Sequence, residues 1–99
     1  MIGTTNKEIL QIDENSWKFP KTINFGSPST YTKKFSNLDH SEIIIFDMSE
    51  TDIVHSTFIG FLINLKQKVD RDGGRLKFHL SDSIKRLFNI LKLYDFFME

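Results

Sequence analysis

His55, Ser56 and Thr57 place an imidazole and two hydroxyls in three consecutive residues, where an extended apolar run gives way to a helical pattern. A hydroxyl beside an imidazole suggests a nucleophile with its base. Side chains on adjacent residues point apart, however, and no carboxylate in the motif is placed to orient the ring, so catalysis is not the expectation. His40, His55 and His79 lack the one-turn spacing of a metal pair, and no metal site is expected. Gly73-Gly74 reads as a turn, not as a phosphate-cradling loop. What remains is a hydroxyl at a helix start. The free N–H groups and the positive end of the macrodipole lie there, and an added phosphate would be well placed. Ser56 and Thr57 also suit a plain capping role, since both residue types are preferred at helix N-termini.

The composition narrows the setting. Ninety-nine residues, 39% of them hydrophobic, fit one domain spanning 1–99 with a single core. Thirteen basic and thirteen acidic residues balance, which gives no electrostatic reason to expect nucleic acid or an anionic membrane as partner. The absence of cysteine removes disulfides and thiolate chemistry. The first residues, Met1 to Lys7, have no signal-peptide core, and no apolar run approaches the roughly 20 residues of a membrane span. A cytoplasmic protein without membrane insertion is expected. Ten phenylalanines are expected to fill the core.

The elements that must position the hydroxyls can be taken in order. Lys7 to Asp13 and Trp17 to Phe19 alternate around a polar turn and predict a hairpin, with Pro20 closing strand pairing. Ser27-Pro28 starts a helix whose Tyr31, Phe35 and Leu38 share a face. Ile43 to Phe46, within Ser41 to Met48, is a continuous apolar run with β-branched residues, expected as a central strand covered on both faces. Phe58, Leu62, Leu65 and Val69 recur at helical spacing, broadened by Ile59 and Ile63, and Asp72-Gly73-Gly74 stops that helix. Phe58 either begins this core stripe or presents its ring to a partner. Arg75 to Leu80 alternates, with Leu76, Phe78 and Leu80 inward. Ser81 or Asp82 can cap a third helix that buries Ile84, Leu87, Phe88 and Leu91, and Leu93 to Phe97 is expected to pack back as a short final strand. Strand-helix-strand units need right-handed crossovers between parallel neighbours, so the expected class is α/β, with a mixed four- to five-stranded sheet and about three helices.

From Glu42 onward the chain resembles the STAS domain family, which includes the bacterial anti-sigma-factor antagonists. The resemblance rests on Phe46-Asp47-Met48-Ser49, Ser56-Thr57, Gly60, Gly73-Gly74-Arg75-Leu76 and Ser83-Ile84-Lys85-Arg86-Leu87-Phe88, in order and without large gaps. Two loop positions depart from the family pattern: His55 stands where Asp is usual and Phe58 where Gly is usual. Asn24 is the nearest counterpart of the acidic residue common before the first helix.

The resemblance implies a single STAS-like domain without catalysis or cofactor. It places Ser56 on the family's phosphoacceptor and Thr57 beside it, with His55, Ser56, Thr57, Phe58, Gly60 and Asn24 around the partner-binding surface. The implied role is a partner switch in transcription regulation. The partner is an anti-sigma factor that is also a serine kinase of the histidine-kinase-like ATPase type, and a cognate phosphatase resets the protein. About two negative charges in a packed interface lose water without gaining a matched partner, so phosphorylation releases the complex. The alternative is a STAS subunit docked constitutively on the ATPase of a bacterial ABC-type lipid transport system, where no phosphorylation is needed.

Overall fold

The computed structural model describes residues 9–23, 33, 35 and 38–98. It is a mixed α/β domain built on one four-stranded sheet and a small side ladder. In chain order the elements are β1 (Leu10–Asp13), β2 (Ser16–Lys18), β3 (Thr22–Ile23), β4 (Ile43–Met48), β5 (Ile53–Val54), α1 (Ser56–Arg71), β6 (Arg75–Leu80), α2 (Asp82–Ile90) and α3 (Tyr94–Met98). The main sheet runs β1-β2-β4-β6, with β1 antiparallel to β2 and the other pairs parallel. The helix expected from Ser27 lies mostly outside the described residues. Within it, Phe35 is buried and Leu38 half-buried against the core.

The hairpin forms as its residues dictate. Asp13 accepts the Asn15 N–H through Oδ1 at 2.9 Å, and this short side chain-backbone bond turns the chain from β1 into β2. Parallel register then sets Trp17 beside Phe46 and Phe46 beside Phe78. Residues opposite one another in a sheet share a face, so the three rings form one row across it. Phe19, Phe35 and Phe58 close over this row, with Phe19 4.9 Å from Phe46 and 5.4 Å from Phe58.

Burial along β4 alternates, which corrects the expectation of a strand covered on both faces. Ile44, Phe46 and Met48 are fully buried, whereas Ile43 is 52% exposed and Ile45 and Asp47 are half-buried. The described helices build the core on one face only. On the other, Ile45 lies between Ser16 and Lys77, and Ile43 lies beside Arg75.

Helix α1 buries the predicted stripe, Phe58, Ile59, Leu62, Leu65 and Val69, and buries Lys66 as well. The Lys66 ammonium reaches Asp70 at 2.6 Å and sits 5.7 Å from the Phe96 ring centre, so a charged residue with an apolar stem covers the core and leaves its head paired. The helix ends as the two glycines suggested. Gly73 takes φ +87°, its N–H donates to Asp70 C=O, and the Gly74 N–H donates to Val69 C=O.

The C-terminal part differs from expectation in two ways. Leu91 caps α2 and is 45% exposed, because the helix stops before it can turn inward. Lys92 takes φ 60° and the Leu93 N–H donates to Phe88 C=O, the same closing motif without a glycine. The tail then continues as the short helix α3, not as a strand. Phe97 drops between Phe78 and Phe88, at 5.2 and 4.7 Å between ring centres.

Two substitutions test this packing by urea denaturation. Leu62→Ala removes a fully buried side chain and is expected to cost about 2–5 kcal/mol. A methyl at Gly74 would lie 2.2 Å from the His40 carbonyl oxygen and 2.5 Å from that of Glu42, so Gly74→Ala forces the backbone apart and is expected to cost about 1–3 kcal/mol or more. A Gly74→Ala variant as stable as the parent would show that this turn does not approach His40 and Glu42 as described.

Candidate functional site

The hydroxyls are positioned by a device outside the main sheet. After Pro20 the chain pairs again: Thr22 and Ile23 run parallel to Ile53 and Val54. The Asp52 and Ile53 N–H groups donate to Lys21 C=O, and the His55 N–H donates to Ile23 C=O at 3.1 Å. Thr51 is fully buried and its hydroxyl donates to Pro20 C=O at 2.8 Å. Ser81, which caps α2 by accepting the Ile84 N–H, donates its own hydroxyl to Thr51 C=O. The loop from β4 to α1 is therefore held on one side by residues 20–23 and on the other by the start of α2. Sequence patterning missed the first contact, because a two-residue ladder has no period to read.

The turn out of β4 is set by Asp47. Its Oδ1 accepts the Ser49 N–H at 3.0 Å and the Ser49 hydroxyl at 2.6 Å. Burial pushes this carboxyl up, but the Ser49 hydrogen bonds, helped by the charges of His79 and Lys18, outweigh it and hold it below the ordinary value of 3.8.

Residue 55 caps α1, a role that the sequence had assigned to Ser56 or Thr57. The His55 Nδ1 accepts the Thr57 N–H at 3.2 Å and lies 3.0 Å from the Thr57 hydroxyl. The imidazole thus takes the capping position that a short carboxylate commonly fills. Its Nδ1 faces Thr57, so it is not aimed at Ser56.

The two hydroxyls are consequently unlike. Thr57 is half-buried and engaged by the imidazole, whereas Ser56 is exposed at the first helical position and its hydroxyl bonds to no described residue. There is no acidic residue in the first turn of α1, so a phosphate on Ser56 would meet the helix N-terminus without local carboxylate repulsion. Ile53 is 61% exposed just before the site. Gly60, one turn beyond Ser56 on the same helix face, is exposed, and a methyl there would touch no described residue within 4 Å.

Phe58 is fully buried against Phe19 and Phe61, so its ring belongs to the core and leaves the accessible surface. This corrects its assignment to partner contact, and it also means that the ring does not screen the Ser56 hydroxyl. Asn24 lies outside the described residues. The structure brings His55, Ser56, Thr57 and Gly60 together over the first turns of α1. No cluster that could hold a metal ion occurs among the described residues, and no described helix is long and apolar enough to cross a membrane. Compared with protein-family models and with curated proteins, the chain matches none.

Two outcomes follow. His55→Ala is expected to lose about 0.5–2 kcal/mol as the cap disappears, while His55→Asp retains a cap and stays near the parent in urea unfolding. Asp47 contributes stability that is complete above its unfolded-state titration and lost as pH falls through the lower folded-state value. Between neutral pH and about pH 3, Asp47→Asn is therefore expected to lose less stability than the parent protein, measured as the shift in urea midpoint.

Proposed function

We propose that this chain is a non-catalytic regulatory binding module, a STAS-like partner switch of the anti-sigma-factor-antagonist type, whose partner surface surrounds Ser56. The single observation that carries the reading is the contrast between the two hydroxyls. Ser56 stands exposed at the positive end of a sixteen-residue helix, and Thr57 is tied to the cap. A kinase can reach the first. Modification there adds about two negative charges at the positive end of the helix dipole, so it is compatible with an intact helix. Its effect falls on whatever is packed against the surface.

Gly60 supports the same reading from a different direction. Glycine in a helix interior costs about 1 kcal/mol relative to alanine, and no described residue comes close enough to this position to require that it be bare. A bare stretch of helix beside Ser56 and the exposed Ile53 lets another protein approach the backbone closely. In this reading the unmodified module binds an anti-sigma factor of the histidine-kinase-like ATPase type, which uses its own ATP to phosphorylate Ser56, and a phosphatase reverses the step. The chain itself supplies no cofactor, and its place is the bacterial cytoplasm. The alternative of constitutive docking on a transporter ATPase drew on Phe58 as an aromatic contact, and the burial of that ring removes this support.

The test is a titration of the ATPase partner that co-purifies with the protein against three forms of the module. Ser56→Asp is expected to bind at least tenfold more weakly with its melting temperature almost unchanged. Gly60→Ala is expected to bind more weakly while its stability rises by about 0.5–1 kcal/mol. Full affinity in both variants would place the interface elsewhere.

A further inference from the structure

Strand β6 is the last strand of the main sheet, and one of its edges is unpaired by any other described strand. The Arg75 N–H donates to Glu42 C=O and the Ser81 N–H to Met48 C=O. In a parallel pair alternate residues bond to the neighbour, so Arg75, Lys77 and His79 face β4 with their backbone groups. The N–H and C=O groups of Leu76 and Phe78 consequently point outward. Alongside that edge runs a groove of about 210 Å³, lined by residues 75–79 and by Phe97 and Met98 of α3. Met98 is 42% exposed at its mouth.

The side chains of this strand divide by face. Leu76 and Phe78 are buried toward the helices, and Arg75, Lys77 and His79 are exposed on the open face of the sheet. Arg75 and Lys77 form no ion pair with a carboxylate of a described residue. A second copy of β6 would be a poor occupant, since antiparallel self-pairing sets these basic columns side by side.

We propose that the outer edge of β6 receives an extended peptide segment of a partner protein in which acidic and apolar residues alternate. The segment extends the sheet by one strand through the outward groups of Leu76 and Phe78. Its acidic side chains lie beside Arg75 and Lys77, and its apolar ones enter the groove over Phe97 and Met98. This surface uses none of the residues around Ser56 and stands independently of the switch proposed there.

The probes are two fluorescein-labelled synthetic octapeptides, one alternating Glu and Val and the other alternating Lys and Val. Each is titrated with the full chain by fluorescence anisotropy, with amide hydrogen exchange read on the complex. The Glu-Val peptide is expected to bind saturably, at least tenfold more tightly than the Lys-Val peptide, and to slow exchange at Leu76 and Phe78. Arg75→Glu with Lys77→Glu is expected to reverse the preference, and Met98→Glu at the groove mouth to weaken the Glu-Val peptide alone. Both changes fall on exposed positions, and thermal melting confirms that the variants remain folded. The proposal is overturned by an absence of saturable binding or by binding indifferent to charge reversal. It is equally overturned if Leu76 and Phe78 are protected by self-association, or if protection falls elsewhere.

Discussion

The domain depends on a row of three aromatic rings. Trp17, Phe46 and Phe78 lie on three neighbouring strands in parallel register, with 6.1 and 6.0 Å between successive ring centres, each contact edge to face. A slip of one residue in either strand pair would turn a ring from the buried face to the open one. The row therefore fixes register, and register fixes what the outer parts can do. It commits the helical layer to one face, leaves Ile43 and the basic column of β6 on the other, and aims the end of β4 at the loop that carries Ser56.

That loop is held by contacts made at a distance along the chain. The buried Thr51 hydroxyl ties it to Pro20, the β3-β5 ladder ties His55 to Ile23, and Ser81 closes the opposite side. The effect is a helix N-terminus presented on a rigid base. His55 then distinguishes two adjacent hydroxyls by engaging only one. Under the switch we propose, this division of labour is what makes Ser56 the modifiable group. The cap is an imidazole, so the helix start is stabilised without a negative charge that would oppose a phosphate.

Much of this was legible in the residues, and the failures have physical causes. The stripe from Phe58 to Val69 is strong because burial at helical spacing leaves few alternatives, and the Gly73-Gly74 stop is a local conformational requirement. The alternation of Arg75 to Leu80 carried directly into burial. The run Ile43 to Phe46 misled because β-branched residues form a central strand whether or not its second face is covered. Whether a layer lies there is a property of the whole chain. The tail misled because five residues, four of them apolar, are too few to separate strand from helix. The conformation of Lys92 decides it, and lysine gives no warning of a positive φ. The cap was assigned to Ser56 or Thr57 by residue preference, and His55 took it because the chain enters α1 with that residue extended. The two-residue ladder beneath the site had no signal at all.

The central claim is that Ser56 is a modified residue whose state changes with the condition of the cell. The most direct measurement is intact mass followed by fragment mapping on the protein isolated from its own cells in growth and under stress. The account predicts one phosphate, about 80 Da, mapping to Ser56 and not to Thr57, with an occupancy that differs between the two conditions. A protein that is unmodified in both, or whose phosphate lies on Thr57, contradicts it.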